Sequence, residues 1–468
     1  MLFNMLKKIF FWLAIFAAAL MFVFLGWAFS QHGTIGLVTV NGTFQKLFII
    51  LGVFGLVLLG LALLEWRLQS RKQKRSTNIL STAVRILTVL EIAIFVFGFF
   101  YVGIIPGQLE AGQTPQLLIE SGSGTNGVPN MAVTYRTSKP TGDTLIWGSD
   151  ASASTLKETT PAREHIFSLT NLQPDIRYWY QINLGQKQYF NSLPAAGEPL
   201  HFAITSDAHF GAGDSQNNLT AEMLSQIANP ANKYNLLFSM GDLVEHGFTD
   251  SQWQTALQAM SAATETIPTK YAVGNHDTLL GGLNRWETYC DPSGMPLQNG
   301  TQLYQRIDVG NVHFLVIDLE WSVEDFNAAQ SAWLEQQLAG IPKNDWKIVI
   351  GHGFYYASGS VVDGWKWYDN PETISKLTPI FEKYGVDMVF SGHDHQMELL
   401  QKSGVSYVIA GTFGGALDPH RTYTSPESVW YSSTNFGFAD VTINGNNADL
   451  IFRDPDGQAI NSFVIPKN

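Results

Sequence analysis

Hydrophobic positions fall into three textures along the chain. Up to about residue 106 they run in long blocks. Ile9 to Phe29, Leu47 to Leu64 and Ile86 to Ile105 are each apolar enough to cross a bilayer, which takes about 20 residues. From about Gln116 to Leu193 the apolar residues alternate in short segments separated by turn formers, the period of half-buried strands; Met131 to Thr137 and Thr144 to Trp147 read this way. Beyond about residue 198, short apolar runs of the kind that form buried strands alternate with helical stretches at Gln216 to Ala228, Asp250 to Thr264, Asp325 to Leu338 and Pro371 to Lys383. After Gly411 the texture is strand-rich again, with Gly437 to Ile443, Ala448 to Phe452 and Ala459 to Val464 completing a sheet. The predicted organisation is a three-helix transmembrane region (1–106), a linker (107–115), a small all-β sandwich (116–197) and an α/β layered domain (198–468).

Charge orients the first part. Lys7 and Lys8 precede the first span, and Arg67, Arg71, Lys72, Lys74 and Arg75 lie between the second and third. Excess Lys and Arg marks the cytoplasmic side, so the N-terminus is expected inside and everything after Pro106 outside. Ala28-Phe29-Ser30 offers an alternative, a signal-peptidase site that would make the first span a cleaved signal; the remainder stays outside either way. Glu91 lies within the third span, where an ionisable group either serves a function or pairs with a neighbouring helix, while Arg85 can snorkel to the interface.

Composition removes several classes. With 468 residues the chain is long enough for two or three domains, and a net charge of -12 argues against binding to a nucleic-acid duplex, which needs a basic face. Acidity is compatible with a phosphate substrate when metals supply local positive charge. The single cysteine, Cys290, excludes an internal disulfide and a cysteine-rich zinc site, and reads as a buried small residue.

The candidate chemistry lies at the ends of the apolar runs. Phe202 to Ser206 leads into Asp207-Ala208-His209, Leu236 to Met240 into Gly241-Asp242, and Tyr271 to Val273 into Gly274-Asn275-His276-Asp277. Trp346 to Ile350 leads into Gly351-His352, and Tyr384 to Phe390 into Ser391-Gly392-His393-Asp394-His395. Five strand ends carrying Asp, His and Asn are expected to converge on one sheet edge, where open α/β sheets place their sites. If the chain stays extended past Gly392, His393 and His395 point in alternate directions, which suits two metals better than one. Two metals about 3.5 to 4 Å apart are a recurrent device for hydrolysing phosphate esters.

Motif by motif, in order and over about 190 residues, this set resembles the calcineurin-like metallophosphoesterase family. The resemblance implies a sandwich of two mixed β-sheets flanked by helices, holding two divalent metal ions. It implies Asp207, His209, Asp242 and His395 as ligands of the first metal, and Asp242, Asn275, His352 and His393 as ligands of the second. Fe, Mn and Zn all suit such donors, so the metal stays open. His276 would face the substrate as charge stabiliser or general acid, with Asp277 orienting its imidazole, and a metal-bridging hydroxide would attack the ester. Leu172 to Tyr180 resembles the corner of a fibronectin type III module, and such a module before this domain resembles purple acid phosphatase architecture. Purple acid phosphatases place a Tyr three residues after the bridging Asp and a Gly at the end of the first motif; here Glu245 and His209 stand there, so no tyrosinate colour and no obligatory ferric ion are expected.

The expected function is therefore that of a membrane-anchored, multi-pass exoplasmic phosphoesterase, a phosphatase first. The alternatives are a phosphodiesterase acting on a lipid head group or nucleotide, and a metal-stabilised surface binding module. His246 either reaches a phosphate oxygen or lies in a solvated loop; His201, His313 and His420 are expected to be structural. Phe354, Tyr355, Tyr356, Trp365, Trp367 and Tyr368 form an aromatic segment after His352 that either packs over the domain, stacks a nucleobase or grips a lipid.

Overall fold

The computed structural model describes residues 113–468 apart from 123, 125, 280–281, 293–302, 363–364 and 419, together with positions 60 and 86. Apart from positions 60 and 86, the three predicted spans lie outside the described residues, as do Glu91 and residues 107–112 of the predicted linker, whose last three residues instead open the first strand; among those described, no helix is long and apolar enough to cross a membrane. The account below concerns the compact unit formed by residues 108–278 and 282–468.

Seven strands come first: β1 (Gln113–Ile119), β2 (Met131–Thr141), β3 (Thr144–Gly148), β4 (Ala153–Lys157), β5 (Ala162–Leu169), β6 (Arg177–Ile182) and β7 (Gln188–Asn191). The α/β part opens with β8 (Leu200–Thr205), α1 (Asn217–Ala228), β9 (Leu236–Ser239), α2 (Asp250–Thr264), β10 (Thr269–Tyr271), α3 (Asn275–Thr278) and α4 (Leu283–Tyr289). It continues with β11 (Gln305–Val309), β12 (Val312–Val316), α5 (Ala328–Gly340), β13 (Trp346–Ile350), β14 (Ser360–Val362), β15 (Trp365–Trp367), α6 (Pro371–Tyr384) and β16 (Met388–Ser391). The chain closes with β17 (Met397–Lys402), β18 (Val405–Ala410), β19 (Ser428–Ser432), β20 (Phe438–Asn444), β21 (Asn447–Arg453) and β22 (Ala459–Pro466).

Two large mixed sheets result. One has the order β22-β21-β20-β8-β9-β10-β1-β2-β5, the other β11-β12-β13-β16-β18-β17-β19. Strands β8, β9 and β10 run parallel, as do β12, β13, β16 and β18, and both sets are buried on both faces. That explains why their sequences read as unbroken apolar runs rather than alternating ones. Phe202, Phe238, Phe314 and Phe390 meet between the sheets, with Phe238 and Phe314 centred 4.8 Å apart. Helices α1 and α2 cover the outer face of the first sheet and α5 and α6 that of the second. The layered α/β sandwich expected from the alternation is thus present.

The helices follow from local signals. In α1, Thr220, Met223, Leu224 and Ile227 are buried, a spacing that aligns one apolar stripe. In α6, the Asn370 side chain accepts from the Thr373 amide at 3.2 Å, Pro371 occupies the first turn, and Gly385 ends the helix at φ +62°.

The seven early strands divide between two layers. β1, β2 and β5 belong to the nine-stranded sheet, where β1 pairs with β10 in parallel, and β4-β3-β6-β7 form a separate sheet. Tyr178 Oη accepts a hydrogen bond from the Gln173 amide at 3.0 Å, satisfying backbone at the turn before β6. The boundary read near residue 197 therefore falls inside one continuous sheet.

Candidate metal centre

The five motif-bearing strand ends come together, but from two sheets rather than one edge. β8, β9 and β10 deliver Asp207, His209, Asp242, Asn275, His276 and Asp277; β13 and β16 deliver His352, His393 and His395. Parallel strands end at the same side, so facing sheets bring both sets to one end of the sandwich.

The loops that do this are tightly wound. Asp207, His209, Asp242 and His393 all have positive φ, at +64°, +48°, +49° and +68°. Left-handed backbone at non-glycine residues is uncommon and gathers at functional sites. His393 thus departs from the extended path assumed for it: Asp394 donates to the Gly392 carbonyl at 2.8 Å, and the bend separates His393 from His395. Glycines permit the close approach. A Cβ on Gly274 would stand 2.3 Å from Asp242 Oδ1, and one on Gly392 would stand 2.0 Å from Ser206 Oγ and 2.5 Å from Asp207 Oδ2.

Each carboxylate has one oxygen anchored and one aimed inward. Asp207 Oδ2 accepts from the His393 amide at 2.9 Å, and Asp242 Oδ1 accepts from the His276 amide at 2.8 Å. The inward oxygen Asp207 Oδ1 receives no hydrogen bond although Asp207 is fully buried. His395, His209 and His352 hold their Nε2 atoms 3.4, 3.8 and 4.0 Å from it. Asp242 Oδ2 lies 3.5 Å from His209 Nε2 and 3.3 Å from His352 Nε2, between two groupings. One is Asp207, His209 and His395; the other is Asp242, His352 and His393. Asn275 Oδ1 joins the second at 3.1 Å from His352 Nε2 and 3.0 Å from His393 Nδ1.

These separations suit cations. Ligand atoms about 2.0 to 2.2 Å from one ion stand roughly 3.0 to 3.6 Å from each other, and most of the separations here fall in that range, with Asp207 Oδ1 to His209 and His352 Nε2 wider at 3.8 and 4.0 Å. Three imidazoles are oriented from behind, the arrangement common for metal-binding histidines. His352 Nδ1 faces the Met240 carbonyl at 2.9 Å, His395 Nδ1 the Ala416 carbonyl at 2.5 Å, and His209 Nδ1 the Glu245 carboxylate at 2.8 Å. A carbonyl accepts only, so in His352 and His395 the proton sits on Nδ1 and the Nε2 lone pair points inward. Burial would raise the Asp242 carboxyl, yet His352, His276 and His209 around it hold it well below the carboxylate range. Burial, then the neighbouring His352, presses the His393 imidazole down to about 3. A buried anion flanked by a neutral imidazole is a donor set for a divalent metal.

His276 sits at the mouth, 15% exposed, within reach of His209 and Asp242. Its Nδ1 donates to the Glu245 carbonyl at 2.8 Å, with the Glu245 carboxylate 3.6 Å away. Asp277 was expected to orient this ring and does something else. Its carboxylate accepts from the amides of Leu243, Val244 and Gly274, tying two ligand-bearing loops together. Burial and the Asp242 charge push it up to about 7. His246 is half-buried and not among the grouped ligands, and Gln252 donates to its Nδ1 at 3.2 Å. His201 and His313 are held by Asp440, and by Asp308 and Asp345, respectively.

Residues 200–397 match the calcineurin-like phosphoesterase family. The chain thus carries a metallophosphoesterase domain, of the kind found in metal-dependent phosphoric ester hydrolases. Among curated proteins it is similar to purple acid phosphatase 18 of Arabidopsis thaliana, 23% identical over 58% of this chain and 63% of that one. It is also similar to probable inactive purple acid phosphatase 27 of the same plant, 24% identical over 67% of this chain and 60% of that one. The chain thus spans about 60% of the length of these relatives. Among solved structures, the purple acid phosphatase PPD1 from yellow lupin (Lupinus luteus) seeds superposes with a TM-score of 0.65 at 19% identity, over 77% of this chain and 75% of that one; this establishes the likeness of fold.

Sequence reasoning gave no site role to three residues that the structure places here, Glu245 having been noted only for standing where a Tyr would be. Glu245 backs His209, Glu320 accepts from Thr278 Oγ1 at 2.6 Å, and Trp321 meets the His393 ring at 4.3 Å. The signal for the last two was present: β12 is an apolar run ending in Asp318-Leu319-Glu320-Trp321, a sixth strand end like the other five.

Proposed function

We propose that the chain is a metal-dependent phosphoesterase, a phosphatase first and a phosphodiesterase as the second reading. The observation that carries this is the pair of ligand groupings linked by Asp242, whose Oδ2 lies 3.5 Å from His209 Nε2 of one and 3.3 Å from His352 Nε2 of the other, with His276 at the mouth. Asp207, His209, Asp242 and His395 would hold one divalent ion, and Asp242, Asn275, His352 and His393 a second. Bound there, the ions would polarise the phosphoryl group and make water available as a nucleophile. The chain's own part is positional. Asp242 Oδ2 faces both groupings, the Glu245 carbonyl keeps the His276 Nδ1 proton in place, and the opposite edge of that ring is left to meet the ester. A proton on His276 Nε2 would stabilise the departing oxygen.

The spans at 9–29, 47–64 and 86–105 and the basic segments around them support a membrane anchor with the domain on the exoplasmic side. The two-layer arrangement of β1 to β7 and the Tyr178 turn support a fibronectin type III-like module.

The test is hydrolysis of an aryl phosphomonoester and its diester by the detergent-solubilised full chain, metal-stripped and reconstituted separately with Mn, Zn and Fe. Metal-dependent turnover supports the reading, and the monoester-to-diester ratio chooses between its forms. His276→Ala should bind metal normally and lose about 10²- to 10⁴-fold in turnover. Two bound ions with no turnover of either ester would replace the enzyme with a binding module.

A further inference from the structure

The ring of His393 has two different surroundings. Its Nδ1 edge faces Asn275 Oδ1 and His352 Nε2, at 3.0 and 3.3 Å. The rest of the ring is walled by aromatic side chains. Trp321 meets it edge to face with centroids 4.3 Å apart, Trp367 lies nearly parallel at 5.5 Å and Phe354 nearly parallel at 5.7 Å. Trp321 and Trp367 also touch, edge to face at 5.2 Å. Phe354 is buried at 4% exposure, whereas both indoles are only half-buried. They come from separate segments, Trp321 from the stretch after β12 and Trp367 from the end of β15.

A buried core would use such rings as filling, fully enclosed. Here two of the largest apolar side chains keep open surface one imidazole's width from the second ligand grouping. Because both indoles touch His393, a phosphate ester held at that grouping has this wall beside it. Indole faces favour planar π-systems in offset or edge-on contact, gaining more than their area alone gives.

We propose that Trp321 and Trp367 form a stacking wall that selects phosphate esters carrying a planar aromatic group of nucleobase size. This rests on the phosphoesterase reading of the same site, yet it is tested by binding alone. Base stacking on an aromatic side chain corresponds to about 5- to 150-fold in affinity.

The experiment measures binding of AMP, ribose 5-phosphate and phosphocholine to the metal-loaded full chain by calorimetry, with tryptophan fluorescence as a second readout. AMP and ribose 5-phosphate differ by the base alone. The expected result is AMP tighter than ribose 5-phosphate by about tenfold or more, with fluorescence quenched by AMP only. Trp321→Leu and Trp367→Leu keep apolar volume without a π-face; each should erase most of the difference while metal content stays at two ions. Equal affinity for AMP and ribose 5-phosphate overturns the proposal, as does phosphocholine binding more tightly than AMP, which would make the wall a cation receptor. A Leu variant that holds its metals and keeps the full AMP preference overturns the role of that residue. Failure to hydrolyse any ester while AMP preference persists refutes the phosphoesterase reading and leaves the stacking wall standing.

Discussion

Glu245 offers the sharpest test of how the first ligand grouping is held. Its carboxylate lies 2.8 Å from His209 Nδ1, and both residues are buried, at 6% and 5% exposure. Glu245→Ala leaves the Nδ1 proton of the His209 imidazole without its acceptor at a largely buried position. An unsatisfied buried donor costs about 1 to 3 kcal/mol. Loss of a group orienting a metal-bound imidazole typically costs about 10- to 100-fold in metal affinity, or about 1.4 to 2.8 kcal/mol. The two routes agree, so a loss near 2 kcal/mol is expected, confined to the grouping that contains His209. Glu245→Gln retains an oxygen acceptor and should lose less. The assay is a competitive zinc titration against a chromophoric chelator, resolving two sites. Equal weakening of both sites, or none at either, would show that Glu245 does not position His209 for a cation.

Gly274→Ala puts a methyl group 2.3 Å from Asp242 Oδ1 and should lower metal occupancy, with overpacking strain of about 1 to 3 kcal/mol; Gly213→Ala, which meets nothing within 4 Å, is the control, and atomic absorption on the purified proteins compares them. Lys270 is 2% exposed and paired with Asp291 and Gln305, so Lys270→Met strands a buried carboxylate and should cost about 3 to 5 kcal/mol by urea unfolding. Asp318 has an oxygen without a partner, and burial together with Asp325 pushes its carboxyl up to about 8. An acid raised on folding binds more protons in the native state, so its contribution to stability falls as pH rises from about 4 to about 8. Asp318→Asn should therefore flatten the Tm profile and raise Tm at pH 8 relative to the parent; an unchanged slope would refute the assignment.

The Asp, His and Asn residues that the structure brings together were legible because their pattern is local. An apolar run followed by Gly and a hard or borderline ligand reports both a buried strand and its end, and Asp242, Asn275 and His352 were found that way. The helices were legible for similar reasons: Asp250 to Thr264 coincides with α2, since the apolar spacing of Trp253, Leu257 and Met260 is a one-helix property. What escaped depends on contacts between distant segments. Asp277 looks like a partner for His276 because it is adjacent, yet its hydrogen bonds go to Leu243 and Val244, 34 and 33 residues away. Trp321 and Trp367 sit in unrelated segments, and nothing short of the folded arrangement places both against His393. The pairing of β1 with β10 is likewise invisible in either strand alone.

That pairing has a practical outcome for anyone dividing the chain. Leu118 is in register with Thr269, Tyr271 Oη donates to Gln116 Oε1 at 2.6 Å, and Tyr180 Oη donates to the Glu265 carbonyl at 2.8 Å. A protein cut at residue 198 would lose the strand that covers β10 and would present its amides and carbonyls as a raw sheet edge, a template for aggregation. The early strands and the metal-bearing layers are therefore expected to melt together as one cooperative transition, and a fragment beginning at the apparent domain border should precipitate where one beginning before Gln113 stays in solution.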